Sequence, residues 1–272
     1  MTEPSPDSWR ERGMLFDAAA HDYLVGRPGY PQRVFDLLEQ RYGLEAGSSV
    51  LEVGPGAGQA TLPLLAAGAR VTAVEPGPDL AATLRAATNG CALDVIVSRF
   101  EDVDLPLGLF DLVVSATAFH WVDPKIGIAK CARLLRSGGW LALWWTIWGA
   151  PDRTDMLHDR LVPLLAAKAP KLLDQGRAGG HYASARRERT AEFEQTKAFG
   201  PVEHHVIDWT GHHDATQARA LFASFSPWLA LSPELRKELL DELESLVLHE
   251  FDNHIERPYQ TVLYAARRTG ER

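Results

Sequence analysis

Short, continuous apolar segments alternate with amphipathic segments between residues 48 and 147. The apolar segments, which predict β-strands, lie at 48–54, 69–76, 93–98, 109–117 and 140–147. The intervening segments carry apolar side chains at helical spacing, and the helix predicted over 125–136 is expected to stop at Gly138-Gly139. Strands that are apolar throughout are typical of a parallel sheet with helices on both faces. The pattern therefore predicts an α/β fold.

Helices are predicted before this region, and strands return after it. Residues 31–43 form an amphipathic helical pattern that ends in glycine, and an earlier helix is broken at Arg27-Pro28-Gly29. Residues 150–198 predict helices without strands, so we interpret them as a cap inserted between strands of the sheet. Strand patterns resume at 204–210 and 257–268.

Together these patterns predict a Rossmann-like sheet of seven mostly parallel strands with helices on both faces. An N-terminal helical lid and a helical cap insertion complete the expected fold. We expect a single domain over residues 1–272. Its parts are lid helices at 1–43, a strand–turn–helix core at 44–149, the cap at 150–198 and the completion of the sheet at 199–272.

Composition and charge narrow the classes of partner. The chain has 46% hydrophobic and 24% charged residues, with a formal net charge of −8. This balance is typical of a globular chain, and the negative charge works against binding to nucleic-acid phosphates. The one dense basic run, RRER at 186–189, is interpreted as a solvated helix face. We expect no nucleic-acid partner.

The expected location is the cytoplasm, with no membrane partner. The longest apolar stretch, near residues 140–151, is shorter than the ~20 residues that span a bilayer, and the N-terminal residues do not form a signal-peptide pattern. Cys91 and Cys131 are too few for a disulfide framework and are expected to be buried, reduced thiols.

A glycine-rich turn follows the first predicted strand, in the sequence LEVGPGAGQAT at 51–61. Gly54, Gly56 and Gly58 permit a tight turn and leave room for a ligand to approach the backbone. The helix start that follows offers N–H groups to electronegative ligand atoms. The turn is therefore a candidate cofactor site.

The residues around this turn indicate which class of cofactor fits. Glu75 ends the second strand 21 residues beyond Gly54, where a carboxylate accepts hydrogen bonds from ribose hydroxyls. A dinucleotide-binding turn would have its third glycine at position 59, which is Gln59 here. The order E-x-G-x-G-x-G, beginning at Glu52, favours a different nucleoside cofactor.

These segments resemble the motifs of class I S-adenosylmethionine-dependent methyltransferases. The resemblance covers LEVGPGAGQ at 51–59, VEP at 74–76, RFEDVDLP at 99–106, FDLVVSATAFHWVD at 110–123 and LLRSGGWLALWW at 134–145. FDAAAHDYLVGRPGYP at 16–31 and LSPELRKELLDEL at 231–243 are similar to a small-molecule subgroup that includes trans-aconitate methyltransferases. Residues 150–198 show no useful match.

The resemblance implies S-adenosyl-L-methionine as the cofactor. The residues implied to bind it are Arg27, Glu52, Gly54, Pro55, Gly56, Gly58, Glu75, Pro76, Phe100, Glu101, Ala116 and Thr117. Among these, Glu75 would hold the ribose hydroxyls and Arg27 the methionine carboxylate. Phe100 and Glu101 would meet adenine through stacking and hydrogen bonding. Arg99 departs from the family pattern, which often has an acidic residue at that position.

The segment FHWVD at 119–123 follows the fourth strand, beside the position that the resemblance implies for the methyl group. His120 is the candidate catalytic base, and a packed structural histidine is the alternative. A carboxylate acceptor would need no base, and His120 would then position it. Residues expected to contact the acceptor are Tyr23, Phe119, Trp121 and Trp148.

The expected acceptor is a small molecule that is methylated on oxygen, from a carboxylate or a hydroxyl. The Asn/Asp-Pro-Pro-aromatic motif of enzymes that methylate base amino groups is absent after the fourth strand. No metal site is expected, because the adjacent residues of His204-His205 and of His212-His213 point to opposite faces of a strand. No Cys pair or H-E-x-x-H motif accompanies them.

Three alternatives remain open from the sequence. A NAD-linked oxidoreductase is disfavoured by Gln59. A protein of the same fold could bind S-adenosylmethionine and catalyse cyclisation or isomerisation instead. A third possibility is a sensing or interaction protein that binds the cofactor without turnover. Neither the cyclising or isomerising enzyme nor the sensing or interaction protein would form S-adenosylhomocysteine with any acceptor.

Overall fold

The structure is a computed structural model that describes residues 20–149, 153–174 and 182–269. A seven-stranded sheet has the order β3-β2-β1-β4-β5-β7-β6. Its strands are β1 (Ser49–Val53), β2 (Arg70–Glu75), β3 (Leu93–Val97), β4 (Phe110–Ala116), β5 (Leu135–Trp148), β6 (Glu203–His213) and β7 (Ile255–Arg267). The predicted seven-stranded α/β fold is confirmed.

Helices occupy most of the described segments between the strands. They are α1 (Ala20–Gly26), α2 (Gln32–Arg41), α3 (Thr61–Ala66), α4 (Pro78–Ala87), α5 (Pro124–Leu134), α6 (Met156–Lys168), α7 (Lys171–Asp174), α8 (Arg186–Glu194), α9 (Ala215–Ala223), α10 (Ser226–Leu229) and α11 (Pro233–Glu250). Short 3-10 turns lie at Phe119–Trp121 and Tyr182–Ser184. Within the described residues, no helix has both the length and the apolar content to cross a bilayer.

Most of the sheet is parallel, as predicted. The parallel part of the sheet consists of β3, β2, β1, β4 and β5, which pair with one another in that order. Strand β7 runs antiparallel to β5, because Gly138 N donates to Arg268 O while the hydroxyls of Thr146 and Thr261 meet further along the pair. The strand order reverses between β1 and β4. In α/β sheets, ligands bind at the carboxyl ends of strands that flank such a reversal.

Strand β5 begins earlier than the sequence predicted. Helix α5 ends at Leu134 and the strand starts at Leu135, before the glycines that were expected to stop the helix. Leu135 pairs with Phe110 of β4, which begins the strand there. Gly138 then lies beside the end of β7: its N–H donates to Arg268 O, and its carbonyl accepts Arg267 Nε. The expectation for the cysteines is right only for Cys131, since Cys91 is exposed.

The described residues form two compact units. The sheet unit comprises 29–146, 182–207 and 261–269, and the helical unit comprises 20–28, 147–149, 153–174 and 208–260. The core of the sheet unit includes Val50, Leu112 and Trp144, and that of the helical unit includes Leu161, Leu221 and Leu243. The region interpreted as a cap contributes to both units. The role of this region as a cap stays a prediction. So does the division of the chain into lid helices, a core, a cap and a final segment that completes the sheet.

Candidate active site

The glycine-rich turn joins β1 to α3 in the sheet unit. Gly54, Gly56 and Gly58 all have positive φ, at 68°, 58° and 98°. A Cβ at Gly54 would lie 2.5 Å from the Ala118 Cβ, and one at Gly58 would lie 2.7 Å from Leu84 Cδ1. The turn therefore requires glycine both for its backbone conformation and for its packing. Pro55, between the first two glycines, is buried.

Glu75 connects the loops that follow β1 and β2. Its Oε2 accepts the Gly56 N–H and its Oε1 accepts the Gly77 N–H, each at 3.0 Å, and the residue is buried. A carboxylate oxygen has two lone pairs, so each can accept a further donor besides a backbone N–H. The carboxylate is thus held in place and can also accept ligand hydroxyls. Pro76, the next residue, is exposed.

Glu52 lies in β1 and is fully buried. Its Oε2 accepts the Thr61 hydroxyl at 2.6 Å, and within the described residues its Oε1 has no hydrogen-bond partner. Burial raises the pKa of the Glu52 carboxyl to about 7, although the Thr61 hydrogen bond opposes the shift. Because Thr61 is the first residue of α3, Glu52 stabilises the helix that follows the turn.

The end of β4 adjoins this turn. Ala116 is buried, and Thr117 has φ 54°, an unusual value for a β-branched residue. The Tyr30 hydroxyl donates to Thr117 Oγ1 at 3.1 Å, and the Thr146 N–H donates to the same oxygen at 3.3 Å. These two hydrogen bonds hold the threonine in its left-handed conformation.

The loop after β3 carries the two residues implied to meet adenine. Phe100 is buried, with Lys130 Nζ 5.3 Å from its ring centroid. The Glu101 carboxylate pairs with Arg99 Nη2 at 3.1 Å. Arg99, which departs from the family pattern, therefore engages the carboxylate that the resemblance implies for adenine. Phe119 is 1% exposed and packs 6.5 Å from Phe100, so we leave it out of the proposed acceptor site.

His120 lies in the 3-10 turn directly after β4. Trp145 Nε1 donates to His120 Nδ1 at 3.1 Å, and the Trp121 ring lies 4.6 Å from the imidazole ring. An indole N–H can only donate, so Nδ1 holds the lone pair, and neutral His120 carries its proton on Nε2. In this arrangement His120 is a hydrogen-bond donor at Nε2, whereas a general base would need a lone pair there.

A further group of side chains surrounds Tyr182 on the same unit. The Tyr182 ring centroid lies 5.9 Å from that of His120 and 5.3 Å from that of Trp145. The Arg189 guanidinium carbon lies 3.4 Å from the Tyr182 centroid, and Nη2 pairs with Glu192 Oε1 at 2.9 Å. Tyr182 therefore contacts both the histidine after β4 and a cation on α8.

Arg189 is 8% exposed, and its Nε and Nη1 have no hydrogen-bond partners among the described residues. Burial also raises the pKa of the Glu192 carboxyl to about 7, against the opposing charge of Arg189. The interpretation of 186–189 as a solvated face is wrong for this residue. Phe193, four positions later, is also buried, and that helical spacing is the signal that could have identified Arg189.

Three other predicted residues meet in the helical unit. The Arg27 guanidinium carbon lies 5.1 Å from the Tyr23 ring centroid, 4.7 Å from that of Trp148 and 4.8 Å from that of Phe225. Arg27 Nε also donates to Ser224 Oγ at 2.8 Å. The pairing of Arg27 with the methionine carboxylate, and the contacts of Tyr23 and Trp148 with the acceptor, stay predictions.

Comparison with known proteins identifies relatives of the chain. A family model described as a methyltransferase domain matches residues 51–143, from β1 into β5. An uncharacterised methyltransferase of Mycobacterium tuberculosis is 29% identical over 263 residues, which cover 95% of this chain and 98% of that protein. The chain is a class I S-adenosylmethionine-dependent methyltransferase. An uncharacterised methyltransferase of Schizosaccharomyces pombe is 25% identical to it over 86% of this chain and 88% of that protein.

Solved structures of methyltransferases share the fold. Phosphoethanolamine N-methyltransferase 2 of Haemonchus contortus, in complex with S-adenosyl-L-methionine, aligns with a TM-score of 0.57 at 14% identity. The alignment covers 98% of this methyltransferase and 61% of that chain. A protein of Anaeromyxobacter dehalogenans described as a type II methyltransferase aligns with a TM-score of 0.57 at 22% identity, over 89% of this chain and 97% of that one.

The cofactor of this methyltransferase is S-adenosyl-L-methionine, and the residues after β1 and β2 fit it. The glycine turn presents backbone without side chains, and the buried Glu75 carboxylate can accept hydroxyl donors of a ribose. The family and the cofactor decide against the nicotinamide alternative. The similarity to trans-aconitate methyltransferases, and every contact assigned with the cofactor, including those of Glu75 and the glycine turn, stay predictions.

Replacing Glu75 with alanine should weaken cofactor binding by about 1–3 kcal/mol, because charge-assisted hydrogen bonds are lost and backbone donors are left without acceptors. Isothermal titration of the full chain with S-adenosylhomocysteine measures the change. Glu45→Ala, at an exposed position before β1, is the control and should bind normally. Thermal unfolding without ligand separates weaker binding from loss of fold. An unchanged affinity of Glu75→Ala would contradict the assignment.

Proposed function

We propose that this methyltransferase transfers its methyl group to a carboxylate oxygen of a small acidic molecule. The observation that carries the proposal is Arg189, a buried cation with two nitrogens that lack partners among the described residues. Its guanidinium is stacked on Tyr182, whose ring also neighbours His120. We assign Arg189 and His120 to the acceptor site.

The charge around Arg189 favours an anionic acceptor. A buried charge is costly unless it is paired and hydrogen-bonded. Glu192 pairs with Arg189, but burial raises the pKa of that carboxyl to about 7, which disfavours its charged form. A carboxylate on the acceptor would add negative charge and accept one of the unpaired N–H groups in a charge-assisted hydrogen bond.

His120 fits the same acceptor as a positioning residue. Its Nδ1 accepts the Trp145 N–H, so neutral His120 presents an N–H at Nε2. That group can donate to a carboxylate oxygen and orient it, but it has no lone pair to remove a proton from a hydroxyl. Bound S-adenosylmethionine supplies a methyl group activated by a sulfonium, and its transfer to a carboxylate gives an ester and a neutral thioether without releasing a proton.

Other features support a small acceptor. The formal net charge of −8 disfavours nucleic acid as the substrate. The lid and the cytoplasmic location stay predictions, as does oxygen as the acceptor atom. For the acceptor atom, one similar protein is named as an O-methyltransferase. It is a ubiquinone biosynthesis O-methyltransferase of Xanthomonas oryzae, 37% identical over 112 residues, which cover 40% of this chain and 46% of that protein.

The proposal is tested by measuring S-adenosylhomocysteine formation over a panel of acceptors. The panel pairs small mono-, di- and tricarboxylates with their amides and with hydroxyl compounds of the same carbon skeleton. We expect turnover with free carboxylates alone and products that alkali hydrolyses as methyl esters. The rate should be nearly constant from about pH 8 to 9, above the pKa of Glu192, because no acceptor proton is removed. Equal turnover of hydroxyl compounds, or a rate that rises with their ionisation, would contradict it.

A further inference from the structure

Strands β6 and β7 place His212 opposite Glu256 in the helical unit. The two strands are neighbours in the sheet, and the bridge between Phe199 and Arg268 beside them is antiparallel. Gln260 Nε2 donates to Asp208 Oδ1 at 3.0 Å across the pair. Moving four residues along each strand from this pair, in opposite directions, reaches His212 and Glu256. Directly opposed residues of an antiparallel pair have Cβ atoms about 5 Å apart. The register therefore brings an imidazole and a carboxylate together.

His254 joins them because it directly precedes β7 and lies two positions before Glu256. Side chains two positions apart on an extended chain point to the same side. His213, the neighbour of His212, points the other way: it is buried, with its Nε2 2.8 Å from the Tyr259 hydroxyl. The adjacent histidines are thus divided between the two faces, and the second imidazole beside His212 comes from the opposite strand.

The donor atoms of these three exposed side chains lie close to the spacing of metal ligands. His212 Nδ1 is 3.7 Å from Glu256 Oε1, and His254 Nε2 is 4.0 Å from the same oxygen. All three donor atoms lie within 4.8 Å of one another. Ligands at tetrahedral zinc are about 3.4 Å apart, given bond lengths of about 2.0–2.1 Å. Small side-chain rotations would bring the three atoms to that spacing.

The backbone that carries His254 is well fixed. The two preceding residues, Asp252 and Asn253, both have positive φ, at 50° and 57°. This turn is held by the Asn253 N–H, which donates to Val247 O at 3.0 Å, and by Asn253 Oδ1, which accepts the Ala215 N–H at 2.9 Å. A ligand site with a fixed backbone loses less conformational entropy when an ion binds.

We propose that His212, His254 and Glu256 form a zinc site. Two imidazoles and one carboxylate favour zinc over magnesium or calcium, which prefer oxygen ligands. Asp214, which follows β6, is not included among the ligands. Its Oδ1 already accepts the Gln217 N–H at the start of α9. Three protein ligands leave a fourth position for water or an external ligand. The ion would link the end of β6 to the start of β7 and stabilise the helical unit.

Calorimetric titration of the chelator-treated full chain with zinc chloride, and separately with magnesium chloride, tests the site. We expect one zinc ion per chain with micromolar or tighter affinity, no magnesium binding at the same concentrations, and a thermal-unfolding midpoint that rises with zinc. His212→Ala and Glu256→Gln should each weaken zinc binding by about tenfold or more, because each removes one of three ligands.

His249→Ala is the matched control, because it removes an exposed imidazole from α11 and leaves the three ligands intact. It should bind zinc like the parent chain. The ligand side chains are exposed, and thermal unfolding without metal verifies that each variant folds. Absence of saturable zinc binding, equal binding of magnesium, or zinc binding that persists in both ligand variants would overturn the proposal. None of these outcomes depends on methyl transfer.

Discussion

Asp155→Ala should lower the free energy of unfolding by about 3–5 kcal/mol, the range for removing one partner of a buried ion pair. Asp155 Oδ2 accepts Arg257 Nε at 2.9 Å and Nη2 at 2.6 Å, and both side chains are at least nine-tenths buried. The substitution would leave the Arg257 charge without its carboxylate. Denaturant unfolding monitored by tryptophan fluorescence measures the loss.

Asp155 also caps α6, since its Oδ1 accepts the His158 N–H at 3.1 Å, and this second role needs its own control. Asp123→Ala removes a comparable cap from α5 at an exposed position, where the carboxylate accepts the Lys125 N–H and touches no arginine in the described structure. That variant should lose only about 1 kcal/mol. If the two variants lose the same stability, the buried pair does not make the expected contribution.

The second large effect is expected at Arg189. Arg189→Met should lower kcat/KM for a carboxylate acceptor by about 100-fold, because charge-assisted hydrogen bonds to the acceptor are lost. Cofactor affinity should be unchanged. The measurement is S-adenosylhomocysteine formation at several acceptor concentrations, together with calorimetric titration of the cofactor.

Two variants separate acceptor binding from folding. Arg187→Met changes an exposed arginine of the same helix and should leave kcat/KM near the parent value. Arg189→Met with Glu192→Gln removes both charges of the buried pair, so it avoids an unpaired carboxylate and should fold with the same loss of activity. If Arg189→Met keeps its rate within a few fold, the guanidinium serves only as the partner of Glu192.

The parallel sheet and the glycine turn were predictable because local sequence determines them. Continuous apolar segments identify strands that are buried on both faces, and the positions of Gly54 and Gly58 admit no side chain. Helix α11 begins at Pro233 after the Ser232 cap, as the Ser-Pro pair indicates. In each case the determining residues lie within a few positions of one another.

Contacts between distant segments were not predictable in the same way. The early start of β5 depends in part on Arg267, the last residue of β7, and on Arg268 after it, more than a hundred residues later. The burial of Arg189 depends on Tyr182, and its charged neighbours 186–188 are exposed, so a count of charges cannot reveal it. The grouping of His212 with Glu256 depends on strand register, which the order of residues does not specify.

The division of the chain between its units limits how the protein can be re-engineered. Four crossings between the sheet unit and the helical unit lie between described residues, and three of them fall within β5, within β6 and within β7. Neither unit can be excised as one continuous fragment. A chimera intended to exchange acceptor preference with another methyltransferase would need several separate grafts, and point substitutions in the sheet unit offer the simpler route.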